Sequence, residues 1–423
     1  MIFLICLSAF MISGDVFFVI HLGGFTLRIY QFLLIPVLIK GLLELFQGVW
    51  PIGFGKLLLW TLFIVLFIPN TTLLERNVFY ALWLVSSVLM VLGITASVDT
   101  PEKLQTILRW YTYSFAFSAL FGLVQLILPL AGLPGPLVQE WWIHDRLARI
   151  NGFTYEPSYF ATYMVTGWVM ADYLRYKKFH FRFLNLSFWL ITIALVLCSS
   201  RAGWITMGVW VAIRAYWHWR AGTIPWRAVG ITLAVSGAVL AVVMTVMGLQ
   251  SDDFMVVTAG MGVVDEQGSF SAEGRWDTTI ETLHVYADHP IIGVSLGGVA
   301  TEIAHQNGYD VVDNEDAKTS EGLCTTAEVL AASGTIGFIF YVWYMVELCR
   351  GMFRLSTETA VAGALGWGFL LLLFILQTDQ NILRGYVWFH ISILSAAYRV
   401  LAASVPHPVK QETRMLTPSV STS

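Results

Sequence analysis

Apolar runs of about twenty residues recur along the chain, and they constrain its fold more than any other feature. A helix of roughly 20 residues crosses the hydrocarbon core of a bilayer, and only a helix satisfies its own backbone in such a run. Charged residues make up only 12% of the 423 residues, about half the share found in an ordinary soluble domain. The sequence therefore predicts an all-α, polytopic membrane helix bundle.

We expect about twelve transmembrane helices in a single transmembrane domain, residues 1–403. The first run lacks a basic segment and a clear cleavage site, so we expect a retained span and not a signal peptide. The polar residues 404–423 predict a disordered cytoplasmic tail. The expected spans are 1–20, 27–46, 55–70, 77–97, 108–131, 158–174, 184–200, 202–218, 228–248, 324–349, 360–377 and 386–403.

The distribution of Lys and Arg sets the expected orientation. Cytoplasmic loops of membrane proteins carry an excess of basic residues. Placing both termini in the cytoplasm gives that side most of the basic residues, whereas the reverse orientation inverts the rule. The cytoplasmic set is Lys40, Lys56, Lys103, Arg109, Arg175, Lys177, Lys178, Arg182, Arg214, Arg220, Arg227, Arg350, Arg354, Arg399, Lys410 and Arg414.

Two outer loops stand out, at about 131–157 and 250–323. The second lies between the ninth and tenth expected helices and is long enough to form an extracytoplasmic subdomain. Its basic residues are Arg275 and Lys318 among many carboxylates, which argues against nucleic acid as a partner. The stretch 275–287 predicts a helix with Trp276, Ile280 and Leu283 on one face, ended by His289-Pro290.

Arg201 is the most informative single residue, because Ser199-Ser200-Arg201 leaves almost no loop between two spans. A guanidinium there either reaches the outer headgroups or meets an anion such as a phosphate, which Arg binds bidentately. Arg275 stands in the acidic loop and is a second candidate for an anion. It has the alternative of pairing with Asp277 or Glu273.

The segment from Arg149 to Phe160 brings a carboxylate, Glu156, to the mouth of a span. Glu156 either favours the helix N-terminus electrostatically or, if buried, acts as a general base. Other outer-face residues are candidates for supporting roles, and the histidines among them are also candidates for the base. An isolated loop histidine is, however, commonly just solvated. These outer-face residues are Arg146, Arg149, Tyr155, Arg384, His284, His289 and His305.

Several motifs are missing from the sequence, among them the P-loop, the Rossmann fingerprint, HExxH and GxSxG. The acidic cluster 310–316 lacks the ligand spacing of a calcium loop, and the four cysteines have no paired spacing. We therefore expect neither a cofactor nor a metal.

Four segments together resemble the bacterial O-antigen ligase and O-antigen polymerase superfamily of membrane glycosyltransferases. They are RINGFTYEPSYFA at 149–161, SSRAGW at 199–204, HPIIGVSLG at 289–297 and EVLAASGTIG at 328–337. Their order and spacing, with the large outer loop, extend the likeness over roughly residues 100–400. The Glu-Pro-Ser tripeptide at 156–158 makes polysaccharide polymerases the nearest type.

The resemblance implies a donor glycan on undecaprenyl pyrophosphate, transferred to a sugar hydroxyl outside the cytoplasmic membrane of a bacterium. It implies an inverting, metal-independent reaction, with Arg201 and Arg275 matching arginines that hold the pyrophosphate. Ligases carry a His about eleven residues before the glycine that matches Gly334, whereas this chain reads Gly322-Leu323-Cys324-Thr325. Glu156 or His305 is then the candidate base, and a polymerase is favoured over a strict ligase.

Three functions remain open from the sequence. The first is polymerisation of O-antigen, capsule or exopolysaccharide repeat units. The second is ligation of the glycan to lipid A core or another acceptor. The third is a secondary transporter or flippase, which the span count allows but the unlike halves disfavour. The expected partners are the lipid-linked donor, a glycan acceptor and membrane lipids, with a chain-length regulator or flippase as further candidates.

Overall fold

The computed structural model describes residues 1–17, 19–22, 25–68, 73–143, 145–223, 272–318, 320–378 and 382–404, and the chain there is mostly helical. Two short antiparallel hairpins accompany the helices. The strands are β1 (Val19–Leu22), β2 (Phe25–Arg28), β3 (Trp141–Ile143) and β4 (Leu147–Ala148). The helices are α1 (Ile2–Met11), α2 (Ile29–Leu45), α3 (Phe54–Leu66), α4 (Leu74–Ser97), α5 (Pro101–Leu130), α6 (Pro157–Tyr176), α7 (Leu184–Leu197), α8 (Arg201–Arg220), α9 (Ala272–Asp288), α10 (Val299–Gln306), α11 (Asn314–Lys318), α12 (Thr325–Leu355), α13 (Ala360–Ile375) and α14 (Gly385–Ser404).

Helices α1 to α8 and α12 to α14 each fall on an expected span. Within the described ranges, five segments are long and apolar enough to cross a membrane: α4, α5, α12, α13 with the 3-10 turn that follows it, and α14. The shorter α1, α3 and α7 are also apolar. The chain is an integral membrane protein, and twelve remains a predicted number of spans. The expected ninth span, 228–248, and the tail after Ser404 lie outside the described residues.

The expected first span, 1–20, is wrong in extent. Helix α1 ends at Met11, and the chain then turns into the hairpin β1–β2, in which Val19 pairs with Arg28. The physical reason is Asp15, whose carboxylate is buried against two arginines contributed by other parts of the chain. A lipid-facing helix offers no such partners for a charge.

Contacts between distant segments place the first residues of α2, α4, α6, α8, α12 and α14 at one end of the bundle, where the loop helices α9 to α11 also pack. We call this the loop end. The opposite end holds most of the lysines, with ion pairs such as Lys56–Glu347 and Arg214–Asp172. Between the two ends lies an aromatic core in which Trp60 and Trp388 stack with ring centroids 6.3 Å apart.

Helix α9 ends at Asp288, directly before His289-Pro290, as the sequence predicts. Its packing face is different from the one that the apolar spacing suggests. Thr282 and Val285 are buried, whereas Trp276 is 67% exposed and Leu283 is 40% exposed. Helix α9 packs on α12, with the Thr282 face inward. The backbone of Gly322 approaches the Thr282 side chain closely there, because glycine has no Cβ.

Helix α12 is broken at Gly334, whose φ of 57° and ψ of −172° are not helical. Such a break frees backbone groups that must find other partners inside an apolar bundle. The segment 290–295 supplies them. Val294 N donates to Ala331 O at 3.1 Å and Ser295 N to Ala332 O at 2.8 Å. In return, Thr335 N donates to Pro290 O at 2.8 Å.

The break joins the third and fourth segments of the family resemblance. A Cβ on Gly334 would overlap the backbone of Ile291, and a Cβ on Gly293 would overlap the Ala331 carbonyl. Both glycines therefore permit a backbone contact that other residues would prevent. The outer loop is thus fixed to α12 in one register, and this sets where the rest of the loop end lies.

Candidate functional site

Hydrogen bonds hold the loop before α6 in a single conformation. Gln125 accepts from Gly152 N at 2.8 Å and donates to Gly152 O at 3.0 Å. Asn151 donates through Nδ2 to Thr154 O at 2.7 Å. Gly152 has a φ of 57° and lies against the Phe160 ring, where a Cβ would collide. The RINGFTYEP segment is therefore a rigid support for Glu156.

Glu156 is the N-cap residue of α6, and Pro157 occupies the first helical position. Its side chain does not cap the helix: Oε2 instead accepts a hydrogen bond from Ser158 Oγ at 2.9 Å. The Glu156 side chain is exposed, so the structure does not have the buried arrangement that the sequence analysis considered. Glu156 stands at the open mouth of α6, next to the positive end of the helix dipole.

Arg149 directly follows β4 and precedes α6 along the chain. It forms an ion pair with Glu140, and its guanidinium lies 4.6 Å from the centre of the Trp142 ring. Burial raises the pKa of Glu140, the Arg149 charge opposes that rise, and the negative charge of Glu156 adds to it. Glu140 and Glu156 are therefore close enough to repel each other, with Arg149 beside them.

Arg201 is the first residue of α8 and is exposed at the loop end. Ser200 caps the helix by accepting from Gly203 N at 3.4 Å. A Cβ on Gly203 would lie 2.9 Å from Ala161 Cβ, so the first turn of α8 is in close contact with the second turn of α6. The charge of Arg149 reaches the buried thiol of Cys198, three residues before Arg201. Arg201 therefore begins α8 beside α6, the helix whose N-cap residue is Glu156.

Arg384 approaches the first turn of α6 from the segment before α14. Its guanidinium binds Asp15 at 2.7 Å and lies 4.1 Å from the centre of the Tyr159 ring, in the first turn of α6. Asp15 also binds Arg28 at 2.9 Å. The charge of Glu321 acts on Arg384 as well, which links this group to the base of the outer loop.

Arg76, in the first turn of α4, fixes the outer loop to the bundle. It is 3% exposed and donates to Gly297 O at 3.1 Å, to Asn314 Oδ1 at 2.6 Å and to Glu321 Oε1 at 2.7 Å. The neighbouring Asn77 accepts from Gly297 N at 2.8 Å. Because its donors are used in these contacts, Arg76 serves as an anchor for the loop.

The remaining predicted residues lie in different positions. Arg146 and Tyr155 are exposed at the loop end, and His289 is half-buried at the end of α9. His305 is exposed in the last turn of α10. His284 lines an open groove of about 380 Å³ between α9 and α10. The backbone of Arg275 belongs to α9, but its side chain lies outside the described residues, so its meeting with Arg201 stays a prediction.

Sequence reasoning missed the polar groups that organise the loop end. Asp15, Arg28 and Arg76 were available as charges inside or beside apolar runs, which is the usual mark of a functional or partnered group in a membrane protein. Glu321 and the buried Glu328 flank the position where ligases carry a histidine. No group of His, Cys, Asp or Glu within the described ranges has the arrangement of a metal site.

Residues 186–342 match the family model described as O-antigen ligase. Over this part the chain is similar to O-antigen ligases, which supports its resemblance to the O-antigen ligase and polymerase superfamily. The match runs from α7 through the outer loop to residue 342 in α12, beyond the break at Gly334. It therefore includes Arg201, Arg275, His289 and His305, whereas Glu156 and Arg384 lie outside it. No curated protein matches the chain.

The O-antigen ligase match and the membrane-spanning helices support a membrane glycosyltransferase that acts in polysaccharide or lipopolysaccharide biosynthesis. Such an enzyme uses a lipid-linked glycan donor and a glycan acceptor. The break at Gly334 falls inside the matched range, so the interlock of the outer loop with α12 is part of the O-antigen ligase region.

Proposed function

We propose that this protein polymerises oligosaccharide repeat units carried on undecaprenyl pyrophosphate, at the outer face of the cytoplasmic membrane of a bacterium. The loop end is the extracytoplasmic face, and both termini are cytoplasmic. The loop 250–323 is a subdomain inserted into the transmembrane domain 1–403, and residues 404–423 form a cytoplasmic tail. The reaction is an inverting glycosyl transfer without a metal or other cofactor.

The observation that carries the proposal is the presence of three arginines at the loop end: Arg384 lies over the Tyr159 ring in the first turn of α6, Arg201 begins α8, and Arg149 precedes α6. The N-termini of these helices add positive potential. A diphosphate that leaves the anomeric carbon gains negative charge in the transition state, and fixed cations stabilise it there. Arg275, in the same matched region, is the fourth cation in this proposal.

Glu156 is the proposed base, because it is the N-cap residue of α6, at the end of the bundle that holds these arginines. An acceptor sugar and the lipid-linked donor, once bound, would exclude water from the exposed carboxylate and raise its basicity. His305 is the alternative base, since it lies on the outer loop inside the O-antigen ligase match.

A ligase, which transfers the finished glycan to lipid A core or another acceptor, is the second candidate, favoured by the description of the matching family. A transporter or flippase is the third. A ligase and a transporter each differ from a polymerase in the glycan intermediate that accumulates in a cell lacking the protein. Single repeat units on the carrier indicate a lost polymerase, whereas long chains on the carrier indicate a lost ligase.

The test uses a deletion strain that expresses Arg201→Ala, Arg275→Ala or the matched control Arg220→Ala. Arg201 and Arg220 are the first and last residues of α8, so they share a helix but lie at opposite ends of the bundle. Removing one oxyanion-stabilising donor typically costs about 10² to 10³ in rate. We expect long-chain glycan to be lost in both loop-end variants and kept in Arg220→Ala, with equal amounts of protein in the membrane. Normal chain lengths in Arg201→Ala and Arg275→Ala would refute the diphosphate clamp.

A further inference from the structure

The Asp15 carboxylate holds two guanidiniums at once. Its Oδ1 accepts from Arg28 Nη2 at 2.9 Å and from Arg28 Nε at 3.1 Å, and its Oδ2 pairs with Arg384 Nη1 at 2.7 Å. The Asp15 side chain is 4% exposed, so it is nearly removed from solvent. One negative charge between two positive charges leaves a net positive charge, fixed in place by short charge-assisted bonds.

The backbone at Asp15 is attached to the loop that carries Glu156. The amides of Asp15 and Val16 both donate to the carbonyl oxygen of Phe153, at 2.9 and 3.1 Å. Phe153 lies three residues before Glu156, in the rigid RINGFTYEP segment. The same short segment after α1 therefore sets the position of the Glu156 loop and of two arginines.

Arg384 is oriented from two sides. Asp15 binds one edge of its guanidinium, and the Tyr159 ring lies under its face at 4.1 Å. An arginine held in this way loses little further side-chain freedom when it binds an anion.

We propose that Asp15 is a positioning residue, which orients Arg384 at the mouth of α6 so that the net positive charge of the Asp15–Arg28–Arg384 group attracts the diphosphate of the lipid-linked donor. This inference rests on the proposed function. Asp15 does not itself touch the donor: it acts through Arg384. A merely structural ion pair would stabilise the fold without changing the affinity for a diphosphate.

The experiment measures binding of inorganic pyrophosphate to the purified full-length protein in lipid nanodiscs, beside the KM for a lipid-linked repeat unit extracted from the deletion strain. Asp15→Asn keeps the shape and removes the charge, so we expect about tenfold weaker pyrophosphate binding and a similar rise in KM. Asp15→Glu keeps the charge and should stay within about threefold of the unchanged protein. It also provides a folded variant should Asp15→Asn fail to fold.

The matched control is Asp172→Asn. Asp172 pairs with Arg214 at 3.0 Å, and Arg214 lies over the Tyr176 ring at 3.7 Å, so the arrangement resembles that of Asp15 but lies at the opposite end of the bundle. We expect this variant to lose stability and to bind pyrophosphate as the unchanged protein does.

A double-variant cycle tests whether Asp15 acts through Arg384. If it does, Asp15→Asn combined with Arg384→Gln weakens pyrophosphate binding no more than Arg384→Gln alone, because coupled residues are not additive. Additive losses would overturn the inference. Normal pyrophosphate binding by Asp15→Asn would also overturn the inference. If the unchanged protein still makes polymer in that case, the proposed function is left intact. Failure of the unchanged protein to elongate the repeat unit would instead refute the proposed function.

Discussion

The carbonyl oxygen of Ala331 accepts a hydrogen bond from the amide of Val294 at 3.1 Å, which joins the outer loop to the broken turn of α12. This hydrogen bond depends on glycine at position 293, because a Cβ there would collide with the Ala331 carbonyl oxygen. The loop and the helix therefore form one folding unit within the O-antigen ligase match, and four predictions concern this unit and the site that it supports.

Substituting Gly293 with Ala should destabilise the protein strongly. Gly293 and Gly308 have φ values of 68° and 78°, but a Cβ on Gly308 meets no atom within 4 Å. Gly308→Ala is therefore a control for the backbone strain alone, which costs about 1 to 2 kcal/mol. We expect Gly293→Ala to cost about 3 kcal/mol or more, because it adds a backbone collision. Equal melting temperatures of the two variants in detergent would contradict the interlock.

Substituting Arg76 with Met should release the outer loop from α4. The change removes the hydrogen-bond donors to Gly297 and Asn314 and leaves Glu321 without its arginine. Removing one partner of a buried ion pair typically lowers the free energy of unfolding by about 3 to 5 kcal/mol. We expect faster limited proteolysis within residues 289–323. Arg354→Met, at an exposed position of the opposite end, should be cleaved as slowly as the unchanged protein.

Substituting Glu156 with Gln should reduce glycan elongation about a hundredfold or more if Glu156 is the base. The change keeps the hydrogen-bonding shape that Ser158 contacts, so the amount of folded protein should not fall. His305→Gln, measured in parallel with purified protein and a lipid-linked repeat unit, should retain activity. Loss of activity in His305→Gln alone would transfer the role of base to the outer loop.

The orientation predicts which exposed positions are accessible from outside the cell. Tyr309 is 68% exposed on the outer loop, and Thr357 is exposed between α12 and α13. In a chain whose four native cysteines are replaced by serine, Tyr309→Cys should react with a membrane-impermeant maleimide in cells whose outer barrier is opened. Thr357→Cys should react only after the cytoplasmic membrane is permeabilised. The reverse pattern would invert the topology and place the site on the wrong face.

The sequence alone determined the membrane class and most helix positions among the described residues, and it predicts the face of the membrane at which Arg149, Glu156, Arg201 and Arg384 lie. It did so because lipid imposes a length and a composition on each span, and because basic residues are distributed unevenly between the two faces. The same local signals located the end of α9 at His289-Pro290 and the four segments of the family resemblance.

Tertiary structure decided what those residues contact. The early end of α1 follows from Asp15, whose partners Arg28 and Arg384 come from the hairpin and from the far end of the chain, so no local pattern reveals them. The anchoring by Arg76 and the pairing of Val294 with Ala331 are likewise contacts between distant segments. Hydrogen bonds and ion pairs of this kind depend on which helices meet, and the apolar periodicity of a single span carries no information about that.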